Sequence, residues 1–242
     1  IIMKQHPSLT LQVKSVQNVE LKASILEMPR GLEFWISCYP ITDKEASLQG
    51  QLESIYETLQ GFLKEYEIAD ACFSERIFTG DPSLALAAVK KVRPRYLREF
   101  CKESPATGLT IIGQKPAHET YQIESLFHVC CSSASELKVF CQDDITVQVI
   151  CHPGFKEIHM SGFCENSTGE GMFSQADAIL KQYGYSFHHV VRTWIYLPDI
   201  AKDYHDFNQV RNRYFDECSL EKLPASTGIG GLHPEPHTRW FM

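Results

Sequence analysis

The sequence has no long apolar run, and it shows no secretory n-region and h-region. None of its apolar stretches approaches the roughly 18 residues that a membrane-spanning helix requires. Its nine cysteines contain no CxxC pair, and several of them lie inside apolar runs, as Cys130 and Cys151 do. Reduced cysteines of this kind are typical of a reducing compartment. We therefore expect a cytoplasmic protein with no membrane partner.

Basic residues are fewer than acidic ones. There are 23 basic against 30 acidic residues, interspersed, with a formal charge of −7. A protein that binds a phosphate backbone needs a basic patch, so we expect no nucleic-acid partner. The glycine-rich run 228–231 lacks the lysine and hydroxyl residues of a nucleotide phosphate loop. The ten histidines form no HExxH motif and no Cys/His ligand spacing, so we predict neither a metal site nor a cofactor.

What the sequence does contain is an internal repeat. Each half shows two strand-like runs, a helix, a strand ending in an aspartate turn, a second helix, and a Pro-Ala-(Ser/Thr) element. Asp81 and Asp199 occupy equivalent places, 118 residues apart. We predict an α+β fold of two tandem units at 1–135 and 136–242, each a mixed β-sheet packed on one face by two helices.

Apolar periodicity predicts the elements of each unit. The predicted helices are 47–66, 84–101, 172–183 and 203–215, and Pro94 should kink or split the second of these. In the second unit only fifteen residues follow Thr227. By analogy with the first unit, we expect the closing strand of the second to be missing from the sequence.

The second half resembles the RidA/YjgF superfamily over residues 145–231. The motifs that carry this resemblance are Met160-Ser161-Gly162, Thr168-Gly169, Val190-Val191-Arg192-Thr193, Tyr196-Leu197, Phe207-Asn208 and Tyr214-Phe215. The run from Arg192 to Ile200, together with Pro224-Ala225-Ser226-Thr227-Gly228-Ile229, is similar to the chorismatase branch. Members of that branch carry two such units in one chain and release pyruvate from chorismate.

This resemblance implies a chorismatase-like enzyme that acts on a small anionic carboxylate without a metal or an organic cofactor. The reaction needs cations for the substrate carboxylates and a proton donor for the enolpyruvyl carbon. The candidate substrate-binding residues are Arg192, Tyr204, Asn208, Arg211, Ser161, Ser226, Thr227 and Gly228. No catalytic residue is assigned, because the resemblance implies an acidic group from a region beyond Gly231.

Two alternatives stay open. RidA imine deaminases carry an arginine after Pro-Ala that pairs with the substrate carboxylate, whereas this chain has Ser226, and a hydroxyl cannot replace a bidentate guanidinium. The other alternative is a non-catalytic protein of the same fold that binds small carboxylic acids. Because members of the superfamily assemble as trimers with pockets between units, the resemblance also implies a homo-oligomer, with a trimer favoured.

Overall fold

The computed structural model describes residues 8–16, 18–28, 31–41, 47–68, 71–100, 108–131, 136–142, 145–152, 154–165 and 170–242. These ranges hold four α-helices and thirteen strands. The predicted α+β class is therefore confirmed. The boundary predicted after residue 135 adjoins residues 132–135, which lie outside the described residues, and it stays a prediction.

The first unit is a six-stranded sheet with two helices on one face. Its elements are β1 (Ser8–Val16), β2 (Val19–Met28), β3 (Gly31–Pro40), α1 (Leu48–Glu65), β4 (Cys72–Thr79), α2 (Pro82–Leu97), β5 (Gly108–Gly113) and β6 (Ile123–Cys131). The strand order is β1-β2-β3-β6-β4-β5, with β4 and β5 parallel and the other pairs antiparallel.

Alternation along β4 separates the two faces of this sheet. Phe73, Glu75 and Ile77 are fully buried on the side of α1 and α2, where the apolar core lies. The intervening residues, Arg76 among them, point to the opposite face because successive strand side chains alternate. The face without helices is therefore the one that can contact the second unit.

The second unit repeats this order of elements in two smaller sheets. Its elements are β7 (Glu136–Gln142), β8 (Ile145–His152), β9 (Phe155–Ser161), β10 (Cys164–Glu165), α3 (Glu170–Gln182), β11 (Arg192–Leu197), α4 (Ile200–Glu217), β12 (Ala225–Gly230) and β13 (Trp240–Phe241). The sheet orders are β7-β8-β9 and β10-β13-β11-β12, and the β11/β12 pair is parallel like β4/β5. The closing strand of this unit, which we expected to be missing, is present as the two-residue β13. It is antiparallel to β11 and pairs with it at Tyr196.

Both copies begin their second helix in the same way. The Asp81 side chain accepts a hydrogen bond from the backbone of Leu84, and the Asp199 side chain accepts one from the backbone of Lys202. Their backbone angles also agree, with φ/ψ of −129/88° at Asp81 and −125/90° at Asp199. A side-chain oxygen at this position satisfies an amide that the helix leaves unpaired. The local geometry thus supports the repeat inferred from the sequence.

Three details differ from the sequence predictions. Pro94 does not split α2, which continues to Leu97, and α4 begins at Ile200 rather than at residue 203. Strands β1 and β7, which were not predicted from the sequence, extend each hairpin to three strands. Within the described ranges no helix is long and apolar enough to cross a membrane, and the eight cysteines found there are free thiols. A cytoplasmic location stays a prediction.

The two units pack through the sheet faces that carry no helices. Ile112 of β5, Tyr196 of β11 and Phe241 of β13 form a small buried cluster between them. Beside it, Gly113 and Leu232 exchange backbone hydrogen bonds, with N–O distances of 2.6 and 3.1 Å. Residues from both units therefore meet in one buried layer.

Candidate functional site

Two guanidinium groups, one from each unit, contact the ring of Trp194. The Arg76 Cζ atom lies 4.2 Å from the ring centroid, and the Arg192 Cζ atom lies 4.3 Å from it. Arg192, Trp194 and Tyr196 alternate along β11 and so share the face turned away from α3 and α4. Arg76 reaches the same ring from β4 of the first unit. We call Arg76, Arg192, Trp194 and Tyr196 the arginine–tryptophan cluster.

Polar atoms of this cluster are buried without full hydrogen bonding. Arg76 Nε and Tyr196 Oη are buried and have no hydrogen-bond partner of ordinary geometry among the described residues, although the Arg76 guanidinium interacts with the Tyr196 hydroxyl. Buried polar groups in native proteins are almost always paired, so such atoms point to a ligand. Burial raises the pKa of Tyr196 to about 12, against the opposing effect of the Arg76 cation. The hydroxyl therefore stays protonated near neutral pH and can donate a hydrogen bond.

The cluster also carries uncompensated positive charge. Arg192 Nη2 donates to Thr227 Oγ1 at 3.0 Å, and neither Arg76 nor Arg192 forms an ion pair with a carboxylate in the described part of the chain. Two cations beside an aromatic ring attract anionic ligands, and the attraction is strengthened by partial burial. The arrangement can therefore hold a small acid that has more than one carboxylate.

The predicted site residues divide between the two faces of the β11/β12 sheet. Arg192 and Thr227 lie on the face turned to the first unit. Ser226 and Gly228 lie on the helix side, where Ser226 Oγ accepts a hydrogen bond from Thr193 Oγ1 at 3.2 Å. The Tyr204 ring covers Gly228 there, since a Cβ atom at Gly228 would lie 3.2 Å from Tyr204 Cε2. These four residues thus do not form one site.

The three other predicted residues are also separate from the cluster. Asn208 lies one turn after Tyr204 on α4, and its buried Oδ1 has no partner among the described residues. The Arg211 guanidinium packs near the rings of Phe207 and Phe215, 5.9 Å from each centroid. Ser161 ends β9 and packs against the start of β5. The structure therefore joins only Arg192 and Thr227 of the predicted set to the cluster.

A cavity of about 450 Å³ lies between the two units, and none of the four residues of the arginine–tryptophan cluster lines it. Thr110, the β5 neighbour of Arg76, lines it, and so does Phe241, whose ring stacks on Tyr196 at 4.9 Å. Cys164 Sγ lies 3.4 Å from His233 Nε2 on the cavity wall. His233 Nδ1 accepts a hydrogen bond from the Glu235 amide, which leaves the proton of a neutral ring on Nε2.

Arg76, Trp194 and Glu124 were not among the site residues predicted from the sequence. Arg76 and Trp194 are equivalent residues of the two copies, since they differ by the same 118 positions as Asp81 and Asp199. Glu124 lies on β6 opposite Phe78, on the same sheet face as Arg76. Burial raises the pKa of the Glu124 carboxyl, so it holds its proton closer to neutral pH than an exposed carboxyl does. Strand alternation applied to both copies is the signal that would have found these residues.

Comparison with known proteins gives one family match. Residues 160–233 match the family model described as Endoribonuclease L-PSP. No curated protein matches the sequence significantly. This match covers most of the second unit from the end of β9 onward.

Three solved structures are similar to part of this chain, at low sequence identity. A proposed translation initiation inhibitor from Salmonella typhimurium is 15% identical with a TM-score of 0.36, over 51% of this chain and 100% of its own. A member of the YjgF protein family from Neisseria meningitidis is 16% identical with a TM-score of 0.33, over 45% of this chain and 91% of its own. Yeast Mmf1 is 16% identical with a TM-score of 0.29, over 46% and 84% respectively. The match of residues 160–233 to the Endoribonuclease L-PSP model confirms, for the second unit, the resemblance to the RidA/YjgF superfamily that its motifs predicted.

Proposed function

We propose that the chain binds a small dicarboxylic acid between its two units and cleaves an enol ether in it, as a chorismatase-like enzyme does. The observation that carries this proposal is the pair of guanidinium groups on Trp194 beside the buried Arg76 Nε and Tyr196 Oη. Two cations suit the two carboxylates of a chorismate-type substrate.

The reaction begins with transfer of a proton to the methylene carbon of the enolpyruvyl group. Water then adds to the resulting oxocarbenium carbon, and the hemiketal breaks its ether C–O bond to give pyruvate and a ring alcohol. We propose Glu124 as the proton donor, because its burial favours the protonated form and it shares a sheet face with Arg76. Arg76 and Arg192 would hold the carboxylates, and the Tyr196 hydroxyl would donate to one of them.

The test is to incubate the full chain with chorismate and to follow pyruvate with lactate dehydrogenase and NADH. We expect release above that of a heat-inactivated sample, and a large loss in Arg76→Gln. Arg98→Gln is the matched control, since Arg98 is exposed at the end of α2, and it should keep the activity. No release from the folded, unsubstituted chain would contradict the proposal.

The family match favours a second candidate, a RidA-type enamine or imine hydrolase. Ser226 disfavours this candidate. It stands where those enzymes carry the carboxylate-binding arginine, and its hydroxyl accepts a hydrogen bond from Thr193 instead. An amino acid oxidase that generates 2-iminoacids in the cuvette tests this candidate, with loss of the imine as the readout. If ligands raise the melting temperature but neither substrate is consumed, a non-catalytic carboxylate-binding protein is the better description.

A homo-oligomer, with a trimer favoured, is part of the same proposal. Strand β1 supports it, because Leu9, Leu11 and Val13 alternate along this edge strand and are 65, 73 and 66% exposed. An apolar row on an open sheet edge is usually covered by a partner. Light scattering after size exclusion tests it, and a mass equal to the 27.6 kDa chain would contradict it.

A further inference from the structure

Three side chains of different chemistry converge on one face of the first sheet, apart from the arginine–tryptophan cluster. Glu33 of β3 lies directly opposite Cys130 of β6, and His128 lies two residues before Cys130 on the same face. His128 Nε2 is 2.6 Å from Glu33 Oε1 and 3.4 Å from Cys130 Sγ. All three donor atoms lie within 4.8 Å of one another. The site thus presents a thiol, an imidazole and a carboxyl oxygen to one point.

The spacing of these atoms suits a tetrahedral metal ion. With zinc–nitrogen and zinc–sulfur bonds of ordinary length, the nitrogen and sulfur ligands stand about 3.5 Å apart. The observed 3.4 Å between His128 Nε2 and Cys130 Sγ is close to this value. The carboxyl oxygen of Glu33 hydrogen-bonds the same imidazole and would need to move outward by less than about 1 Å to become a ligand.

The surroundings hold these side chains in place. The Glu33 and His128 side chains are 18 and 16% exposed. The His128 ring stacks on Trp35, with centroids 5.4 Å apart and planes at 19°. Such packing limits the rotamers of the imidazole, as a preformed metal site requires.

A fourth group comes from the second unit. The His159 ring of β9 lies 5.6 Å from the His128 ring. Glu157 contacts it through a 2.9 Å interaction between Glu157 Oε1 and His159 Nε2. A carboxylate beside a ligating histidine commonly fixes the orientation of its ring. His159 is thus placed to approach the same point from across the unit interface.

We propose that Glu33, His128 and Cys130 bind a zinc ion, with His159 of the second unit as the fourth ligand. Thiolate and imidazole select zinc over magnesium or calcium, which take oxygen ligands. No metal site was predicted from the sequence, because these ligands do not follow a local spacing. Glu33 and His128 are 95 residues apart, and strand register brings them together. This proposal is independent of the catalytic one.

Metal content of the tag-free full chain is the direct test. After incubation with zinc and removal of the excess on a desalting column, we expect one zinc per chain by mass spectrometry. Cobalt should give the intense near-ultraviolet absorption of a thiolate–cobalt bond. Because the metal would join the two units, zinc should also raise the melting temperature, and a chelator should reverse this rise.

The variants separate this site from adventitious binding. Cys130→Ser should abolish the thiolate–cobalt band. Glu33→Gln should weaken zinc binding by about 10- to 100-fold or more, because replacing even a residue that only orients a ligand costs this much affinity. His159→Ala should weaken binding and remove the rise in melting temperature. Cys131→Ser is the matched control, since its thiol donates to the Leu32 carbonyl instead, and it should bind metal normally. Circular dichroism shows whether each variant is folded. Zinc well below one per chain, or a cobalt band that persists in folded Cys130→Ser, would overturn the proposal.

Discussion

The Gln148 side chain of the second unit forms two hydrogen bonds with the backbone of Phe73 in the first. Its Oε1 accepts from the Phe73 amide at 3.0 Å, and its Nε2 donates to the Phe73 carbonyl at 2.6 Å. Both residues are buried. The amide side chain thereby acts as one peptide unit of an additional strand beside β4, just before the β4/β5 ladder begins at Ser74.

Gln148→Ala should destabilise the protein by about 2–3 kcal/mol, because it leaves a buried amide and a buried carbonyl without partners. Urea denaturation measures the loss. Gln209→Ala, on an exposed turn of α4, should change the stability little. Equal stabilities of the two variants would show that water replaces the Gln148 side chain without cost.

The core of the first unit contains a buried ion pair that should be sensitive to removal of one partner. Arg93 Nε lies 2.7 Å from Glu75 Oε2, and Tyr56 donates to Glu75 Oε1 at 2.8 Å. Glu75→Gln should cost about 3–5 kcal/mol, because the buried Arg93 guanidinium loses its ion pair with Glu75. Denaturant unfolding followed by fluorescence measures this cost.

The double variant Glu75→Gln/Arg93→Met provides the control for that prediction. It removes both charges, so it should recover part of the lost stability. A double variant less stable than Glu75→Gln alone would contradict the account, since it would mean that Arg93 stabilises the fold without Glu75.

The two arginines of the arginine–tryptophan cluster should affect ligand binding more than folding. Arg76→Gln and Arg192→Gln should each weaken binding of a dicarboxylate by about 10- to 100-fold, the value of one charge-assisted hydrogen bond. Isothermal titration with a non-reactive dicarboxylate measures this loss. Unchanged affinity in both variants, with Arg98→Gln as reference, would place the ligand elsewhere.

Stability and activity should both depend on the protonation of Glu124. Burial raises its pKa in the folded state above 4.5, so its contribution to stability is complete below pH 4.5 and is lost as pH rises through the folded pKa. Glu124→Gln should therefore flatten the pH dependence of the melting temperature in that range. If Glu124 is the proton donor, the same variant should also abolish pyruvate release, whereas Glu119→Gln, outside the strands, should alter neither property.

The helices and the repeat could be predicted from the sequence because their determinants are local. Apolar periodicity identified α1, and the aspartates before α2 and α4 identified the repeat. The candidate site was harder to predict from the sequence, because Arg76 contacts Trp194 only through the packing of two sheets. Motif similarity selected Ser226 and Tyr204 together with Arg192, but it carries no information about which face of β12 a residue occupies.

Arg76 and Trp194 are the same position of the repeat in two different copies. In a ring of identical subunits, a given position carries the same residue in every copy, so a cation and an aromatic ring could not both occupy it. Covalent linkage of the copies removes that restriction. A fused chain can therefore form an asymmetric binding pocket, suited to a molecule whose two ends differ.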